Sequence, residues 1–144
     1  MVALTTERNT KMRLGDLRFD LLAASVKVFG GGIVMRNAAG YLTKGATATG
    51  SFGVGRADET ADNSAGVAGA LGVNYRAGSF AFANSAAGDL IAQADIGKVC
   101  YIVDDQTVAK TNGTATRSPA GIVEGIEGVS VVWVRFDEAL TRAS

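Results

Sequence analysis

From Ser25 onward, apolar side chains recur at every second position in short runs, and Gly, Asn or Asp closes each run. This constrains the chain more than any other feature. Alternation sends successive side chains to opposite faces of an extended strand, whereas a helix needs a three-to-four residue repeat. Short strands separated by turn residues predict an all-β fold, a small β-barrel or β-sandwich with an extended N-terminal arm. The 19 glycines against one proline supply the bends. A chain of 144 residues is long enough for one buried core. We expect an arm at residues 1–24, a core at 25–137 and a tail at 138–144.

Ser25–Phe29 and Ile33–Arg36 flank the triplet Gly30–Gly32, and Tyr41–Thr43, Ser51–Ala57 and Ala70–Arg76 follow as further strands. Phe80 and Phe82 alternate with Ala81 and Ala83, which puts the rings on one face and small methyl groups on the other. Val99–Val103 and Thr107–Lys110 are separated by Asp104, Asp105 and Gln106, a tight-turn sequence that predicts a hairpin. Gly121–Ile126 and Val129–Phe136 make a last pair. The second of these is apolar on both faces, with Val129, Val131 and Trp133 on one and Val132, Val134 and Phe136 on the other, so it is expected in a central place, buried on both sides. Asp58–Gly69 and Lys110–Pro119 have few bulky side chains and are expected as exposed loops.

The first 24 residues differ. Charges at Glu7, Arg8, Lys11, Arg13, Asp16, Arg18 and Asp20 are interleaved with Leu4, Met12, Leu14, Leu17, Phe19, Leu21 and Leu22. Leu14, Leu17, Leu21 and Leu22 suit one face of a short helix, yet Leu17, Phe19 and Leu21 equally suit a strand. Two readings stand side by side, an arm that reaches a neighbour and a terminal segment that closes the domain's own core.

Composition narrows the chemistry. Lys and Arg together number 14, as do Asp and Glu, so no net cationic field draws nucleic acid. No apolar run approaches a membrane span, and the polar N-terminus lacks a signal-type apolar region. With no His and a single cysteine, Ser-His-Asp and Cys-His sites, an internal disulfide and the usual zinc sites are excluded. Cys100 lies in an alternating strand and reads as a small core residue. The adjacent carboxylates Asp58 and Glu59, Asp104 and Asp105, and Asp137 and Glu138 point to opposite faces if extended, which does not suit an acid-base pair. The Asp58–Asp62 loop lacks the ligand order of an EF-hand. Trp133 and Tyr101 are candidates to stack on a sugar, but their apolar strands favour core packing. No catalytic, metal or cofactor site is expected, and the chain reads as a non-enzyme that works by shape and surface.

The stretch DIGKVCYIVDDQTVAKTNGTATRSPAGIVEGIEGVSVVWV, from Asp95 to Val134, carries a recognisable order of motifs. D-x-G-K at Asp95–Lys98 leads into Y-x-x-D-D at Tyr101–Asp105. Thr107 and Val108 follow, then a glycine-containing loop, A-G-x-V at Ala120–Val123 and V-W-V at Val132–Val134. In this the chain resembles the small β-rich decoration, or cement, proteins of bacteriophage heads. Gly30–Gly50 is similar to that family's opening hairpin and loop, and Ala57–Ser64 also fits, so the resemblance covers Ala23–Val134.

The resemblance implies a virion protein, assembled in the host cytoplasm, that binds the outer surface of an HK97-type lattice of the major capsid protein. It also implies a homotrimer that stabilises the shell against internal DNA pressure, and composition and motifs add that no cofactor, nucleic acid or membrane is expected as a partner. Within the segment Val2–Leu22, which the resemblance leaves unmatched, interleaved charges and leucines fit an apolar contact with a polar rim. Leu4, Arg8, Met12, Arg13, Leu14, Leu17, Arg18 and Phe19 are therefore the candidate capsid or inter-subunit contacts. The alternative is a head-fibre or tail-associated adhesion module that binds host surface glycans.

Overall fold

Alternating sequence becomes a strand where one of its faces finds a partner, and between Leu17 and Phe136 this happens twelve times. The computed structural model describes residues 2–11 and 15–144. The strands are β1 (Leu17–Leu21), β2 (Val26–Val28), β3 (Ile33–Arg36), β4 (Leu42–Lys44), β5 (Phe52–Ala57), β6 (Ala61–Asn63), β7 (Gly72–Arg76), β8 (Gly78–Asn84), β9 (Val99–Ile102), β10 (Thr107–Ala109), β11 (Pro119–Glu127) and β12 (Val131–Phe136). Short 3-10 turns occupy Ala87–Asp89 and Gln93–Asp95, and one helix, α1 (Glu138–Ala143), follows β12.

The C-terminal half closes into a five-stranded barrel in the order β10-β8-β12-β11-β9. All pairs are antiparallel except β10 with β8, whose parallel ladder completes the ring. Closure leaves this half no free edge. Its interior takes the inward set of each strand: Phe82 from β8, Cys100 and Ile102 from β9, Val108 from β10, Ala120 and Val123 from β11, and Val132, Val134 and Phe136 from β12. Phe136 meets Phe82 edge-on at 5.8 Å between ring centroids, a favourable arrangement of their quadrupoles. The hairpin expected across Asp104–Gln106 is β9–β10, the last predicted pair is β11–β12, and both aromatic rings of β8 face inward.

The remaining strands form an antiparallel sheet, β1-β7-β5-β3-β4, and a ribbon, β2-β6. β3 joins sheet and barrel. Its Ile33 and Met35 enter the barrel core, while Val34, between them, enters a second core with Val28, Leu42, Val54, Ala61 and Val73. The strand is thus buried on both faces, with alternate side chains in different cores. β5 lies close against the barrel because Gly53 has no side chain; a Cβ there would fall 2.3 Å from the carbonyl oxygen of Ala120.

Four expectations are corrected by this packing. Residues 17–22 are not free arm: β1 pairs with β7 over its whole length, and Leu22 is fully buried in the second core. Alternation of Leu17, Phe19 and Leu21 with Arg18 and Asp20 makes β1 an amphipathic edge strand, and its ladder satisfies the β7 backbone that would otherwise be open. Residues 138–144 are not a loose tail, since α1 is capped by the Asp137 carboxylate, which accepts the Leu140 N–H at 3.1 Å. Thr141 is buried, and the Arg142 guanidinium lies 5.2 Å over the Phe52 ring.

Within Asp58–Gly69, β6 pairs with β2, and the buried Asn63 amide donates to the carbonyls of Ala23 and Val67. A short ladder and a side chain acting as backbone partner hold what composition alone assigns to a loop. Finally, β12 is central but buried on one face: Val132, Val134 and Phe136 point in, while Trp133 and Arg135 are exposed. The ring of a closed barrel has one interior, so the alternate side chains of this strand face outward.

Candidate functional site

β1 is the outermost strand of its sheet, with one side paired to β7. Its odd-numbered residues form a row of apolar side chains held outward: Leu17 is 51% exposed, Phe19 56% and Leu21 39%. Phe19 is seated by glycine. Its ring lies across Gly72, where a Cβ would meet the ring carbon Cζ at 2.3 Å. Leu21 and the Tyr41 ring both approach Gly69, and the neighbouring Leu71 and Val67 are exposed as well. Apolar side chains on a rigid edge, grouped instead of scattered, are the composition of a contact surface.

The even-numbered residues of β1 face a charged cluster that fixes the strand. The Arg36 guanidinium of β3 donates to Asp20 at 2.6 Å, to the Gly40 carbonyl at 2.8 Å, to the Tyr75 hydroxyl at 3.2 Å and to Glu138 of α1 at 3.3 Å. The Tyr75 hydroxyl in turn donates to Glu138 at 2.7 Å, and Arg18 comes within 3.9 Å of the same carboxylate. Burial alone would lower the pKa of Arg36, but the hydrogen bond to Asp20 and the neighbouring carboxylate Glu138 outweigh it, and the net shift is upward. Burial, then the hydrogen bond to Glu138, raises the Tyr75 phenol. Arg36 therefore remains a cation that draws together β1, β3, β7 and α1, which holds the apolar row in a fixed position.

The candidate contact residues divide among three settings. Leu17 and Phe19 share the exposed row. Arg18 lies in the same strand but turns toward Glu138. Leu4 and Arg8 sit in the stretch 2–11, which is exposed throughout and has neither helix nor strand, and Met12, Arg13 and Leu14 fall outside the described residues. The structure adds Leu21, whose alternation with Phe19 was visible in the sequence, and Leu71, whose place beside β1 comes from the backbone hydrogen bond between Leu22 and the Leu71 carbonyl.

The other residues singled out for chemistry have separate partners. Asp58 pairs with Arg56 and Arg76, Glu59 accepts from Asn74, and Asp62 accepts from Ser64, so these carboxylates do not converge. Cys100 is fully buried, its Sγ 3.6 Å from the Gly121 carbonyl, and burial pushes its thiol pKa up to about 12. Trp133, expected inside, stands on the outer face of the barrel, 37% exposed, its indole N–H bonded to Glu127 at 2.9 Å. Tyr101, the other aromatic weighed for stacking, is half-buried in β9. No family model, curated protein or solved structure matches this chain.

Proposed function

We propose that this protein is a decoration or cement subunit of a phage head, which binds the outer surface of an assembled HK97-type capsid lattice and stabilises it. The observation that carries the reading is the outward row Leu17, Phe19 and Leu21 on an edge strand locked from behind by Arg36. The sequence resemblance over Ala23–Val134 supplies the partner. A ligand that binds only the assembled lattice stabilises it by linkage. As a homotrimer, the protein would present three such rows, and once one is seated the others bind at a high effective concentration. The exposed stretch 2–11, with Leu4 and Arg8, extends the contact along the shell.

Cosedimentation with purified undecorated heads tests this. Wild-type protein should saturate the heads in large copy number and raise the temperature at which they release DNA. The triple substitution Leu17→Ser, Phe19→Ser, Leu21→Ser should lower binding at least about tenfold, the effect of roughly 1.4 kcal/mol, while an unchanged thermal melt shows that the two cores remain folded. Heads that bind the triple variant as tightly as wild type would move the contact off β1. Heads that bind neither protein would overturn the reading itself.

A further inference from the structure

A second surface lies on the barrel, in a different sheet from β1. β12 runs between β8 and β11, and the cross-strand partners of Trp133 are Ala81 on one side and Gly125 on the other. Beside them Val131 pairs with Ala83. Across the strands the indole thus has only small neighbours, Ala81 and Gly125, while Val131 and Arg135 flank it along β12. Glycine at 125 is not a backbone requirement. Its φ is not in the left-handed region, and a Cβ there would meet nothing nearer than Trp133 Cβ at 4.0 Å. The small residues at 81 and 125 leave the ring's surroundings open.

The polar groups at the rim are mostly acceptors. The indole N–H donates to Glu127 at 2.9 Å, which fixes the ring's orientation and leaves the rest of that carboxylate's lone pairs available. At the bulge between Val123 and Gly125, Glu124 accepts the Ser79 hydroxyl at 2.5 Å. Both carboxylates are exposed, and the nearby Arg135 reaches toward Asp137 at 3.9 Å. An apolar protein knob would leave these carboxylates facing a surface unable to donate to them, at a desolvation cost. An anionic partner would be repelled. A neutral pyranose matches both parts, since its C–H face covers an aromatic ring while its hydroxyls donate to carboxylates.

We propose that Trp133, Glu127 and Glu124 form a binding platform for a neutral glycan, with the indole as stacking plate and the carboxylates as hydroxyl acceptors. The platform is independent of the head contact at β1, and either can fail without the other.

Trp133 is the chain's single tryptophan, so intrinsic fluorescence reads this site alone. The wild-type protein is titrated to millimolar concentration with cellohexaose, chitohexaose, mannohexaose and hexagalacturonate. A saturable spectral shift is expected with at least one of the neutral hexaoses and none with the anionic one. Glu127→Gln should weaken that binding about tenfold, or roughly 1.4 kcal/mol. Ala81→Gln, which crowds the ring's surroundings and leaves the indole in place, should abolish it. Calorimetry with Trp133→Ala should show no heat of binding at an unchanged melting temperature. No shift with any neutral hexaose, or a shift that Ala81→Gln leaves intact, overturns the proposal. So does a Trp133→Ala variant that loses head binding and not sugar binding, which would make the indole a protein contact.

Discussion

Ile33 and Val34 are adjacent in β3 yet belong to different cores, so substituting each asks whether the barrel and the sheet unfold as one body. Ile33→Ala removes about three methylene equivalents from the barrel interior, roughly 2.4 kcal/mol of transfer free energy at about 0.8 each. The unfilled space brings the loss to about 2–5 kcal/mol. Val34→Ala removes about two equivalents from the second core, for about 1.5–3 kcal/mol in total. Both side chains are essentially inaccessible to solvent, so the full transfer applies. At about 3 °C per kcal/mol for a domain of this size, Ile33→Ala should melt about 6–15 °C below wild type. Urea titration with two probes provides the assay. Fluorescence of Trp133 reports the barrel, and far-ultraviolet circular dichroism reports all strands. If β3 couples the cores, Val34→Ala shifts both traces to the same lower midpoint although its side chain never touches the barrel interior. A fluorescence midpoint unmoved by Val34→Ala, with an early separate phase in the dichroism, would refute that coupling.

Arg36→Ala should destabilise by about 1.5–3 kcal/mol, the range for hydrogen bonds to charged groups, because it leaves Asp20 and Glu138 without their shared cation. Arg36→Lys should recover little of this in a thermal melt, since an ammonium cannot serve four acceptors placed around a planar fork. Stability should fall in alkali more steeply in the wild type than in Cys100→Ala. The folded thiol holds its proton up to about pH 12, while the unfolded thiol releases it near its ordinary value of 9.0. Its contribution is therefore complete below about pH 9 and is lost as pH rises toward 12, with a maximum on the order of 4 kcal/mol. Urea midpoints measured between those limits check it, and equal slopes in both proteins would contradict it. Gly53→Ala should prevent soluble folding or lower the melting temperature severely, because the clash is with the Ala120 backbone, which no rotamer change relieves.

The strands made of local pairs were legible. β9–β10 and β11–β12 each combine alternation with a recognisable turn, so pattern and neighbour are both encoded within a short stretch. Pairings between distant segments were not. β2 with β6 and β8 with β10 depend on which strand happens to lie alongside, and alternation marks two faces without saying what covers either. Trp133 shows the cost of that ambiguity. Val129, Val131 and Trp133 read as a second buried face, yet the barrel has only one inside, and the indole ended on the other. The candidate contact was half legible for the same reason. Leu17, Phe19 and Leu21 were visible as a possible strand, but β7 as their partner lies about fifty residues on in the sequence. Helix α1 gave no periodic signal because six residues complete fewer than two turns.

The Arg36 cluster also brings the two ends of the folded body together. Asp20 precedes nearly all of it, Glu138 follows nearly all of it, and one guanidinium holds both. A domain attached beyond α1 would start within two turns of helix from that junction and crowd the apolar row of β1. The loop Thr111–Arg117 is the better graft site. It is largely exposed, and Arg117 clips its base to Asp89 at 3.1 Å, so a foreign peptide inserted at its tip would hang from the barrel and leave β1 clear.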